Sequence, residues 1–144
     1  MEAWIGVDLD GTLAYYDGWK GHEHIGEILE PMEYRIRYWL KHGTKVKIFT
    51  ARASVPEHKA VVEKWLEEHD LGGLEVTNVK DYGCLEIWDD RAVQIEFNTG
   101  NLNSFSRYLP HRKPHIDDDP IYQNEHKEYL KWMARLGLEP LENE

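Results

Sequence analysis

Asp8 and Asp10 stand one residue apart, behind the apolar, β-favouring run Ala3-Trp4-Ile5-Gly6-Val7 and ahead of Gly11-Thr12. A run of that kind reads as a buried parallel strand. Open α/β sheets bind ligands at the carboxyl ends of such strands. On an extended chain, residues two apart share a side, so both carboxylates are delivered to one crevice. Two like charges this close need a cation, a proton or a cage of hydrogen bonds. Magnesium suits them, because it takes hard oxygen ligands and often only one or two carboxylates from the protein. The competing reading is an Asp-Gly turn closing an edge strand.

Three later stretches repeat the pattern of an apolar run ending in polar chemistry. Lys45-Val46-Lys47-Ile48-Phe49 ends at Thr50-Ala51-Arg52. A hydroxyl there, with nearby backbone N–H groups, supplies neutral donors to an oxyanion. Arg52 suits either a bidentate phosphate contact or a surface ion pair. Leu74-Glu75-Val76-Thr77 leads through Asn78-Val79 to Lys80, whose ammonium can offset charge on a carboxylate and a phosphoryl group. Leu85-Glu86-Ile87-Trp88 ends in Asp89-Asp90-Arg91. Crossover connections put the carboxyl ends of parallel strands on one edge, so Asp8, Asp10 and Asp89 are expected to converge there around a divalent cation.

Asp8-Leu9-Asp10-Gly11-Thr12, then Thr50, Lys80 and Asp89-Asp90, resemble in order the four motifs of the haloacid dehalogenase (HAD) superfamily. The resemblance covers residues 3 to about 97 and is closest to the small capless HAD-like hydrolases. It implies an α/β fold: a Rossmann-like three-layer α/β/α sandwich with a mainly parallel central sheet. It also implies a magnesium-dependent phosphomonoesterase. On that pattern Asp8 is the nucleophile and forms an aspartyl-phosphate, while Asp10 is acid toward the leaving group and then base toward water. Mg²⁺ is held by Asp8, the Asp10 carbonyl and Asp89, with Asp90 helping. Thr50 and Lys80 orient the phosphoryl group, and Gly11, Thr12, Ala51 and Arg52 are the candidate phosphate or substrate contacts. An acid at position 10 favours phosphoryl transfer over dehalogenation. A phosphotransferase or mutase, or a non-catalytic phosphate- or nucleotide-binding module, remains the alternative.

The elements that must position these groups are legible in outline. Tyr15-Tyr16-Asp17-Gly18-Trp19 reads as a hairpin flap over the site. Its aromatics suit either stacking on a nucleotide or packing of the flap itself. His22 and His24 follow as an H-x-H pair, read as loop residues ahead of metal ligands. Pro31 to His42 reads as a helix with Met32, Ile36, Trp39 and Leu40 in its apolar stripe and Gly43 as its stop. Ser54 caps a second helix running to about His69, with Val61, Val62, Trp65 and Leu66 inward and Gly72-Gly73 closing it. Neither gap between motifs holds a cap domain, so the site is expected to be open, admitting a phosphorylated small molecule, a nucleotide or a larger phosphorylated substrate.

Ala92 to Phe97 alternates like a further strand before a turn at Asn98-Thr99-Gly100. Residues 101–119 read as irregular. His115 to Asp119 is a rival metal cluster, but fits better as the acidic start of a helix from Pro120 to Leu136, ended by Gly137. Tyr122, His126, Tyr129, Leu130 and Met133 are its inward candidates.

At 144 residues the chain fits one domain. A formal net charge of −10 gives no general attraction to a nucleic-acid backbone, although a local basic patch would leave that partner open. The single cysteine, Cys84, precludes an internal disulfide and fits a reducing, cytoplasmic compartment. No signal segment and no membrane-length apolar run is expected.

Overall fold

The protein is described by a computed structural model over residues 2–101, 103 and 120–138. It divides into two compact units, residues 1–90 and 91–144. The first unit holds every motif residue. Its elements are β1 (Trp4–Val7), α1 (Glu30–Lys41), β2 (Lys45–Phe49), a 3₁₀ turn (Ala51–Ser54), α2 (Pro56–Glu68), β3 (Glu75–Thr77) and β4 (Cys84–Trp88). The four strands form one parallel sheet in the order β3-β2-β1-β4. The α/β expectation therefore holds at the level of a parallel sheet with helices.

One face of the sheet carries the apolar core. Ile5 and Val7, Val46 and Ile48, and Val76 meet Met32 and Ile36 of α1 and Val62, Trp65 and Leu66 of α2 in one buried cluster. Both helices open with proline in the first turn, where its missing N–H costs nothing. The expected stripes hold with two changes. Leu40 is exposed, because Trp39 turns inward instead, edge-on to Trp88 at 5.1 Å. Val61 is only half-buried. Ser54 does not cap α2: its hydroxyl donates to the Ala51 carbonyl within the 3₁₀ turn, and Val55 takes the cap position. Asp70, at φ 57°, makes the left-handed turn after α2 that Gly72 was expected to make.

The other face is organised by a buried cation. Lys47 is 8 % exposed, with Nζ 4.6 Å from the Trp4 ring, 3.3 Å from Glu75 and 3.7 Å from Asp81. Asp81 lies in residues 78–83, which return from β3 to β4 without a helix. Its carboxylate accepts from Trp4 Nε1 at 2.7 Å and from the Gly83 N–H at 2.8 Å, and these donors hold it below its usual pKa.

The register fixes the site. Val7 pairs with Ile48 on one side and with Trp88 on the other. A shift between Trp4 and Ile5 leaves Leu85 without a partner on β1, and this bulge is what brings Trp88 opposite Val7. Asp89 consequently follows its strand where Asp8 follows β1.

Beyond β1 the chain curls at once. Leu9 O accepts the N–H groups of Thr12, Leu13 and Ala14, with Leu9, Leu13 and Ala14 fully buried. A hairpin flap does not form over residues 15–27. The base is tied by Tyr15 N to Glu27 O and Leu29 N to Leu13 O. Further out, the carbonyls of His22 and His24 bond to Arg52 instead of to a facing strand.

In the second unit, residues 92–97 do not form a strand. The chain turns through Asn98 (φ 61°) and Gly100 (φ 75°), closed by Glu96 N to Asn101 O and Asn103 N to Gln94 O. Helix α3 (Pro120–Arg135) ends where Gly137, at φ 71°, bonds back to Ala134, and Leu138 to Met133. Met133 is buried, whereas Leu130 is 37 % exposed. The side chains of Tyr122, His126 and Tyr129, and the His115 to Asp119 cluster, lie outside the described residues. Among the described residues no helix is long and apolar enough to cross a membrane.

Candidate functional site

The carboxyl edge of the sheet gathers Asp8 after β1, Asp89 and Asp90 after β4, and Thr50 after β2. Carboxylate oxygens of Asp8, Asp89 and Asp90 all lie within 4.8 Å of one another. The Asp8 N–H donates to Trp88 O at 2.9 Å, locking the two strand ends together. Burial, then the charge of Asp89, push the Asp8 carboxyl up to about 8, and Asp90 adds to the effect. Three carboxylates gathered this closely, offering only hard oxygens, fit a small divalent cation.

Gly11 and Thr12 serve Asp90. Thr12 Oγ1 donates to Asp90 Oδ1 at 3.0 Å and accepts from the Asp90 N–H at 3.1 Å. Gly11 sits at φ 86°, and a Cβ there would stand 2.6 Å from Asp90 Oδ2. The short Asp-Gly-Thr sequence is thus a seat for the acid of a distant strand, 78 residues on from Thr12. Gly11→Ala should cost about 2 kcal/mol through backbone strain, and displace Asp90. Thermal melting and a magnesium titration check this; wild-type values in both would show that Gly11 is not needed there.

Thr50 is 4 % exposed, and its Oγ1 accepts the Arg52 N–H at 3.2 Å. That bond occupies a lone pair and leaves the hydroxyl proton to donate. Ala51 is exposed at the head of the 3₁₀ turn. Lys80 follows β3 on the same edge, exposed, with no hydrogen bond or ion pair to the described residues.

Asp10 departs from expectation. The Asp10 carboxylate is not among the three clustered acids. It lies in a two-pronged ion pair with Arg52, Nε to Oδ2 at 2.8 Å and Nη2 to Oδ1 at 3.0 Å. Arg52 is 5 % exposed and also donates to His22 O and His24 O, both at 2.9 Å. Of the two readings the sequence left open for Arg52, the ion pair is the one present, and it is buried. Only one of its five N–H groups is left for a ligand.

Of the two loop histidines, His22 is accounted for by packing, while the His24 side chain is exposed. The His22 ring stacks on His58 of α2 at 4.5 Å, nearly parallel. Trp19 lies 6.1 Å from the same His58, with the Arg52 guanidinium 4.9 Å from its own ring. Tyr15 and Tyr16 are exposed beside Asp10, lining with Lys20, His24 and Arg52 a narrow crevice.

Comparison with protein-family models, with curated proteins and with solved structures returned no match.

Proposed function

We propose that the protein is a magnesium-dependent phosphomonoester hydrolase of the HAD type, working through an aspartyl-phosphate. The observation that carries this reading is the meeting of Asp8, Asp89 and Asp90 at a parallel-sheet edge, with the Thr50 hydroxyl on the neighbouring strand end. The capless, three-layer HAD architecture belongs to the same proposal, supported by the motif order and the parallel sheet.

The chemistry follows from the residues. Asp8, Asp89 and Asp90 would hold Mg²⁺, which would screen the phosphoryl charge from the nucleophile. Ionised Asp8 attacks phosphorus, and the ester P–O bond breaks as Asp10 gives a proton to the leaving oxygen. Water then attacks phosphorus, giving its proton to Asp10, and the bond to Asp8 breaks to release phosphate. Thr50 Oγ1 donates to a phosphoryl oxygen, and Lys80 on the same edge supplies positive charge. The substrate is a phosphorylated small molecule or nucleotide, with a larger phosphorylated partner admitted because no cap lies over the site among the described residues.

A non-catalytic phosphate-binding module is the second reading. It is favoured by one observation, the engagement of both Asp10 oxygens by Arg52. Turnover separates the two. Asp89→Asn should raise the magnesium concentration needed for half-maximal phosphate release by roughly tenfold or more. An unchanged magnesium titration would remove Asp89 from the metal set.

A further inference from the structure

We propose that Arg52 is a positioning residue that sets the orientation of Asp10 and the seating of the loop over residues 15–27 as a single event, an inference resting on the phosphomonoesterase reading. One buried guanidinium grips both oxygens of Asp10, at 2.8 and 3.0 Å, and the carbonyls of His22 and His24, both at 2.9 Å. Its face lies 4.9 Å from the Trp19 ring, so the same loop is held by a stacking contact as well as by hydrogen bonds. Trp19 and His22 in turn lean on His58 of α2, which gives the loop a fixed wall.

These contacts are mutually dependent. Lifting the loop would strip two acceptors from a guanidinium that is 5 % exposed, leaving buried donors unpaired. Turning Asp10 away would break a planar fork whose geometry no lysine reproduces. The carboxylate that the proposed reaction uses for proton transfer is therefore held in place only while the loop is seated. A two-pronged phosphate contact by Arg52 is the contrasting role, and it would require donors already committed, since only one of the five N–H groups is left.

The two roles separate on the leaving group. Arg52→Lys and Arg52→Gln should lose roughly 100-fold in kcat/KM on alkyl phosphates, whose departing oxygen needs a proton. The same variants should lose about threefold or less on an activated aryl phosphate, whose leaving group needs little help from an acid. Inhibition by inorganic phosphate should be unchanged. Trypsin should cut after Lys20, within the loop, about tenfold faster in both variants, because the seated loop is protected from local opening. Arg52→Lys keeps the charge and serves if Arg52→Gln does not fold. Equal losses on every leaving group, with weaker phosphate inhibition, would overturn the proposal and make Arg52 a phosphate contact. An unchanged cleavage rate at Lys20 would overturn the tie to the loop. If the wild-type protein releases no phosphate from any ester, the enzyme reading fails and the proton-transfer role with it, while the trypsin ratio still decides whether Arg52 holds the loop.

Discussion

Asp8→Asn should abolish phosphate release and, in the absence of magnesium, make the protein more stable. The loss of turnover follows from chemistry: an amide oxygen is no nucleophile toward phosphorus, and removing a nucleophile costs at least about 10⁴-fold in kcat. The gain in stability follows from electrostatics. Asp8 is half-buried beside Asp89 and Asp90, and its carboxyl is pushed up to about 8. An isosteric amide removes one of three crowded charges and keeps an oxygen to accept the Leu9 N–H. Allowing for solvent screening, the relief is on the order of 3 kcal/mol at pH 8, or roughly 10 °C in Tm. Paired assays of activity and melting in chelator check both halves. A variant that is inactive but also less stable than wild type would place Asp8 among structural rather than functional acids.

The wild-type protein should lose stability as pH rises from about 4 to about 8 in chelator, and regain it with magnesium. Between the ordinary Asp value of 3.8 and the folded value of about 8, the unfolded chain has ionised Asp8 while the folded chain retains its proton. The folded state then binds more protons than the unfolded state, so stability falls with pH. The penalty is absent below the lower value and full above the upper one. Asp81 acts outside this window: its carboxyl is held below the usual range, so the stability it contributes is lost only at more acid pH. A cation bound by the three acids favours their ionised forms, so saturating magnesium should flatten the slope. Its contribution is about 2.7 kcal/mol at a hundredfold excess over Kd. Denaturant melts at pH 5 and pH 8, with and without magnesium, read this directly. A pH-independent stability in chelator would show that the acids do not strain the fold.

Much of this was legible in the sequence, for physical reasons that differ by element. The strands were readable because short apolar runs end abruptly in Asp8, Thr50 and Asp89; β2 has the expected bounds, Lys45–Phe49. The convergence of Asp8 with Asp89 follows once the sheet is parallel. The bulge at Leu85 that completes it leaves no pattern signal. Helix stripes were readable from spacing, except at Leu40, where Trp39 competes for the interior. The flap was misread because an Asp-Gly signal says where a chain can turn, not what its carbonyls will bond. Here His22 O and His24 O bond to Arg52, a partner about 30 residues away. The same blindness hid the Asp10–Arg52 pair, although the Thr50-Ala51-Arg52 spacing did put an arginine at the right edge. Gly11 and Thr12 carried the right importance for a different reason: they seat Asp90. Lys47 sits at an inward strand position that a cation rarely occupies. Glu75, Asp81 and the Trp4 ring, which close around its ammonium, explain it.

Phosphate release by the wild-type protein tests the central claim most directly. The substrates would be an activated aryl phosphate, sugar phosphates, nucleotides and 3′-phosphorylated DNA, each with magnesium and with chelator. The expected result is release in magnesium that chelator abolishes, with one substrate class clearly preferred. No release from any substrate, in a protein that still binds magnesium at Asp8, Asp89 and Asp90, would contradict the hydrolase and leave a binding module on the same sheet edge.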